Sequence, residues 1–143
     1  MDAEVRDALE TDAESLAAIA DVPTDVMRNV VHDRTVRVAE RHRETTDPNA
    51  DADSADAELL GFVAFDVRGG TVHVTQIGGS AEAVERLLGE PVRFASNERF
   101  DVEFLAPMSE TEVQEAAERA GFDRVGDGPR FLGEETVKFR MDP

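Results

Sequence analysis

Cysteine is absent from the 143 residues, which excludes disulfides, a thiol nucleophile and a thiolate metal site. The core must hold the fold unaided. At this length, one domain over 1–143 is expected, burying roughly two thirds of the surface that the unfolded chain exposes. Long apolar runs are also missing, and none approaches the ~20 residues that span a bilayer. The opening Met1-Asp-Ala-Glu-Val-Arg6 is acidic and has no apolar signal segment, so the expected address is cytoplasmic, with no membrane partner. Three scattered histidines lack ligand spacing, so no metal is expected. No nucleophile elbow exists for Ser-His-Asp chemistry.

Positive charge is scarce as well. Against 32 acidic residues stand 15 basic ones, a net charge of −17, and Lys138 is the only lysine. Nucleic acid is excluded as a partner, because its phosphates demand a cationic footprint. Self-repulsion is the second consequence. At molar salt the Debye length shrinks to ~3 Å and that repulsion largely vanishes, so a halophilic source with a salt-rich cytoplasm is the expected origin.

What is present reads as alternating strands and helices. Val5 to Ala8 is a short extended piece, and Thr11 to Glu14 has the form of a capping box for a helix carrying Leu16, Ala17, Ile19 and Ala20. Pro23 ends it. Thr24 or Asp25 caps a second helix with an apolar face of Val26, Met27, Val30 and Val31. Thr35 to Ala39 alternates as a half-buried strand flanked by His32 and His42. From about 42 to 58 no apolar side chain exceeds alanine, which predicts a flexible acidic loop. Asp47, Asp51, Asp53 and Asp56 lack the glycine and the glutamate of a calcium loop.

Leu59 to Val67 is apolar on both faces, as a central strand is, and Arg68-Gly-Gly70 turns it into an antiparallel neighbour from Thr71. In that neighbour Val72 and Val74 alternate with Thr71, His73 and Thr75. Gly78-Gly79 is expected to break the strand in a tight turn, after which Ser80 caps a helix bearing Val84, Leu87 and Leu88. A glycine turn feeding a helix N-terminus presents unpaired N–H groups and the positive end of the helix dipole, which suits a phosphate. Pro91 to Phe94 leads on to a fifth strand, Phe100 to Pro107. Ser109 to Glu112 is a second capping-box pattern for a helix with Val113, Ala116, Ala117 and Ala120, and Gly121-Phe122 stops it. Phe122 to Val125 and Thr136 to Met141 are the last strands, joined by a loop over 126–133.

The order β-α-α-β-β-β-α-β-α-β-β is a mixed α/β arrangement, α+β in its mixed sheet. Over nearly the whole chain it resembles the GNAT superfamily of acyl-CoA-dependent N-acetyltransferases. Three places carry the likeness: Leu60-Gly-Phe-Val63 before the hairpin, Gln76-Ile-Gly-Gly-Ser-Ala81 as the (Arg/Gln)-x-x-Gly-x-(Gly/Ala) motif, and Glu112 to Phe122 as the last helix. The resemblance implies acetyl transfer from acetyl-CoA to a primary amine of a small molecule or protein. It also implies that Gln76, Ile77, Gly78, Gly79, Ser80 and Ala81 cradle the pyrophosphate, with Val74 and Thr75 pairing with the pantetheine arm. Fourth and fifth strands splay in that family, which places Val72 to Thr75 opposite Asp101 to Leu105 across the gap.

The motif turn here carries no basic residue, and Glu82 and Glu85 follow it. A tyrosine that many members use to reprotonate the leaving thiolate aligns with Ala117, and the chain has no tyrosine. An asparagine often found at the start of that last helix aligns with Glu110. Transfer to an amine needs a base near neutrality or a water path. The candidates are His73 and Glu103. An acidic cleft attracts a cationic acceptor. The alternative is a catalytically silent acyl-CoA-binding or protein-interaction module. Either is expected as a monomer or homodimer.

Overall fold

Period-two alternation sets the sheet, and the computed structural model describes residues 3–42, 57–131 and 133–143. Among the described residues, seven strands form one sheet: β1 (Glu4–Asp7), β2 (Thr35–His42), β3 (Ala57–Arg68), β4 (Thr71–Gly79), β5 (Asp101–Pro107), β6 (Asp123–Phe131) and β7 (Glu134–Met141). Their spatial order is β1-β2-β3-β4-β5-β7-β6. Only β4 and β5 run parallel. The helix between these two strands, α3 (Ala81–Glu98), makes that crossover. The others are α1 (Ala13–Ala20), α2 (Thr24–Asp33) and α4 (Thr111–Arg119). This is the mixed α/β order expected from the sequence.

Each face of the sheet has its own core. On one, Val72 and Val74 of β4, Val102 and Phe104 of β5 and Phe139 of β7 pack under Val84, Leu87 and Leu88 of α3 and Val113, Ala116 and Ala117 of α4. Phe104 stacks on Phe139 with ring centroids 6.2 Å apart. On the other face, Leu16 of α1 and Met27 of α2 cover Val36, Val38, Phe62 and Ala64. Burying one such side chain contributes roughly 1.5–3 kcal/mol. That second cluster includes no residue of β4, β5 or β7. Among the described residues, α1 and α2 therefore cover one half of that face, and the other half carries His73, Asp101, Glu103, Lys138 and Arg140.

Several boundaries differ from the sequence reading, each for a physical reason. The Thr11 box does not form. A 3-10 turn at Glu10–Asp12 precedes α1, and the Asp12 carboxylate accepts from the Leu9 N–H at 2.7 Å while Arg6 grips it at 2.8 and 3.0 Å. Arg6 also reaches the buried Glu40. Pro23 occupies the N-cap of α2, so Thr24 and Asp25 lie inside the helix, and neither caps it. Val26 is exposed, leaving Met27 as the buried residue of that face. Pro91 to Phe94 is no connector but the interior of α3, where buried Leu87, Leu88, Pro91 and Ala95 maintain one apolar stripe through the proline. That stripe offsets the ~3 kcal/mol an interior proline costs.

At α4 the Ser109 hydroxyl donates to Glu134 rather than capping the helix. Gln114 Nε2 instead ties down the preceding turn, donating to the carbonyls of Pro107 at 2.9 Å and Met108 at 3.0 Å. Gly121, at φ +98°, and Phe122, whose N–H reaches the Ala117 carbonyl at 3.0 Å, end α4 as expected. The stretch expected as an acidic loop at about 42–58 is trimmed at both ends, because His42 still pairs with Ala57 and Arg41 with Glu58; residues 43–56 lie outside those described. β6 continues to Phe131 by ladder pairing with β7, which absorbs most of the expected 126–133 loop.

Candidate functional site

A gap opens in the sheet where β4 and β5 part. Thr71, Val72, His73 and Val74 pair with Asp101, Val102, Glu103 and Phe104, and the ladder stops there. Beyond it β4 stays on β3, through Gln76↔Ala64 to Gly79↔Gly61. β5 stays on β7, through Leu105↔Lys138 to Pro107↔Thr136. The expected gap at Val72 to Thr75 is thus displaced: those residues up to Val74 are paired, and the opening starts at Thr75 and Leu105. Its cause is an irregularity opposite Ala64 and Phe65 that leaves Thr75 as an extra residue in β4. Such a bulge bends the strand that carries it. The Thr75 hydroxyl donates to the Ala64 carbonyl at 3.2 Å and holds the bend.

Past the bend β4 does not break at Gly78-Gly79; it runs to Gly79, and Ser80 alone links it to α3. Two glycines make this junction. A Cβ on Gly79, at φ +124°, would lie 2.3 Å from the Leu60 carbonyl oxygen, and one on Gly61 would lie 2.7 Å from the Gly78 carbonyl oxygen and 3.0 Å from Ala83 Cβ. The first turn of α3 therefore rests directly on the β3 backbone. Gly79 is thus required by its close approach to the β3 backbone. Ser80 does cap the helix: its N–H reaches Leu60 at 3.0 Å and its hydroxyl accepts from Ala83 at 3.2 Å. The N–H groups of Ala81 and Glu82, in the first turn, have no helical acceptor. Glu85 is engaged by Arg119 at 3.2 Å, so Glu82 is the acidic side chain left beside them.

His73 and Glu103 face each other as ladder partners one step before the gap. Lys138 Nζ lies 3.4 Å from one Glu103 oxygen and Arg140 lies 3.6 Å from the other. Arg140 also holds Asp101 at 2.8 Å. His73 is half-buried and, among the described residues, has no hydrogen-bond or ionic partner. Ala117 is fully buried in the core, so no side-chain hydroxyl is supplied from that position. At the far end of β5, burial and then the neighbouring Glu134 push the Glu110 carboxyl above its ordinary range. Sequence reasoning singled out His73 and Glu103 as candidates but did not single out Lys138 and Arg140, whose period-two placement on β7 was the available signal. Nor did it find Gln114.

No family model and no curated protein sequence matches the chain. Solved structures do match across its length. A protein from Desulfovibrio desulfuricans ascribed to the GNAT acetyltransferases shares 16% identity, with 98% of each chain covered and a TM-score of 0.70. NAA60 of Arabidopsis thaliana, solved with acetyl-CoA, shares 17% over 97% of each chain at 0.71. An N-acetyltransferase from Staphylococcus aureus Mu50 shares 10%, covering 99% of this chain and 98% of that one, at 0.73. At these identities the likeness is one of fold: the chain has the GNAT acetyltransferase fold.

Proposed function

We propose that this protein is an N-acetyltransferase of the GNAT type, moving an acetyl group from acetyl-CoA to a primary amine of a small molecule or a protein. The observation that carries the proposal is the parting of β4 from β5 at Val74 and Phe104, with the Ser80-capped end of α3 beyond it. The chain's groups fit acetyl-CoA through backbone. Among the described residues, β4 from Thr75 onward has an edge without a ladder partner, suited to the amides of the pantetheine arm together with Val74, Gln76 and Ile77. Gly78 to Ala81 lead to free N–H groups suited to the pyrophosphate. The motif turn itself carries no cation, and Glu82 opposes, which high salt screens.

When bound, acetyl-CoA supplies the activated acyl carbon. The acceptor ammonium first loses one proton to water, and His73 takes a second from the nitrogen as the free amine forms its bond to that carbon. The same imidazolium returns the proton to the sulfur as the C–S bond breaks, the step for which the chain has no tyrosine. Glu103, held by Lys138 and Arg140, is committed to ion pairs, so His73 is the better base of the two. The acidic surface draws a cationic acceptor. The burial of Ala117 favours one other reading, a silent module that binds an acyl-CoA or a protein partner. Incubating the protein with acetyl-CoA and a panel of polyamines and peptide N-termini, with product mass as the readout, separates the two. An active enzyme yields an acetylated amine, and His73→Ala abolishes most of it without weakening acetyl-CoA binding. Binding of acetyl-CoA with no product from any amine would leave the silent module.

A further inference from the structure

We infer that Asp66 is a positioning residue for His73, holding its imidazole across the β3–β4 ladder with a carboxylate oxygen that no other donor among the described residues satisfies. Asp66 and His73 are direct antiparallel partners, so their side chains leave the same face of the sheet with Cβ atoms ~4.5–5.5 Å apart. Arg34 donates to Oδ2 of Asp66. The other oxygen, Oδ1, is buried and, among the described residues, has no hydrogen-bond partner. Buried oxygens of this kind are rare, and each calls for a donor. Directly across the ladder sits an imidazole that, among the described residues, has no partner.

The competing carboxylate is Glu103, His73's partner on the β5 side, and Lys138 and Arg140 already engage both of its oxygens. Asp66 keeps one oxygen free. A ring N–H donated to Oδ1 fixes the imidazole in one tautomer and leaves the second nitrogen as the proton acceptor, one residue from where the strands part. Arg34, by holding Oδ2, keeps the carboxylate from turning away. The row Arg34, Asp66, His73 is thus anchored from its outer end, and catalytic bonds of this type often close fully only with substrate present. The role of this row in catalysis rests on the acetyltransferase reading, but the tautomer does not.

The test is therefore spectroscopic first. Nitrogen NMR of the full-length protein reads the tautomers of His32, His42 and His73, three signals that single substitutions assign. The expected result is one dominant His73 tautomer with an N–H slowed in exchange with water. In Asp66→Asn the amide oxygen stays with Arg34 and the amide N–H₂ meets the ring, so the tautomer should invert, as for an asparagine in the orienting position of a catalytic triad. Rapid tautomer exchange in the wild type, or an unchanged pattern in Asp66→Asn, would overturn the inference; the wild-type reading stands even if the variant fails to fold. With a working amine acceptor, Asp66→Asn should lower kcat by about tenfold or more and leave KM for acetyl-CoA nearly unchanged. If no amine is acetylated while the tautomer inverts, the acetyltransferase reading falls and the positioning pair remains.

Discussion

Replacing Gly79 with alanine should damage the fold before any ligand is added. The new Cβ would sit 2.3 Å from the Leu60 carbonyl oxygen and 2.4 Å from Gly61 Cα. Both are backbone atoms of β3, a strand paired on both sides, so neither can rotate aside. The residue would also be kept at φ +124°, a conformation that costs a side-chain-bearing residue about 1–3 kcal/mol. Relieving the overlap by backbone shifts costs about 1–3 kcal/mol more, for a total of about 2–6 kcal/mol against a typical stability of about 5–15 kcal/mol. In urea at fixed salt the unfolding midpoint should fall by about 1 M or more. Gly89→Ala is the control: it lies within α3 with nothing inside 4 Å of the added carbon, and should stabilise by about 0.5–1 kcal/mol. A Gly79→Ala protein as stable as the wild type would refute the claim that α3 is seated on β3 through this glycine.

Salt should stabilise the protein. With a net charge of −17, the melting temperature should rise between about 0.1 M and 2 M KCl as screening removes self-repulsion, and a flat or falling curve would count against the halophilic origin we propose. Acid should release the clasp at the start of α1. Hydrogen bonds from Arg6 hold the Asp12 carboxyl below its ordinary value, so as pH falls the unfolded chain takes up the proton first. The clasp's stabilisation is then complete above the unfolded carboxyl value of about 3.9 and is lost as pH drops through the lower folded value. Asp12→Asn should be less stable than wild type at neutral pH, and the two urea midpoints should converge at the acid end. Parallel curves would show that Asp12 adds nothing.

The parts of the fold legible in the sequence were those decided locally. Val72 and Val74 alternate because the strand does, Gly69 and Gly70 turn the hairpin with positive φ, and Ser80 caps α3 with the hydroxyl the sequence displays. The misreadings share one physical cause, that a side chain able to cap a helix was engaged elsewhere or that packing overrode a local signal. Ser109 is drawn to Glu134 on a distant strand, and Pro91 stays helical because its neighbours bury a common stripe. The site divides the same way. The turn we propose for acyl-CoA and both candidate bases were named from the sequence, but where the strands part depends on one extra residue in the β3–β4 register. Which carboxylate is free depends on where β7 places Lys138 and Arg140. Those are pairings between segments far apart in the chain, which no single stretch encodes.

Calorimetric titration of the protein with acetyl-CoA in about 2 M KCl, beside an Ala81→Asp variant, tests the central claim most directly. Ala81 is exposed at the first position of α3, where a carboxylate favours the helix dipole but meets the pyrophosphate with like charge. The account predicts saturable binding by the wild type, with affinity lowered more than tenfold, above ~1.4 kcal/mol, in a variant that melts no lower without ligand. A wild type that shows no binding at millimolar acetyl-CoA, or a variant that binds equally well, would contradict it.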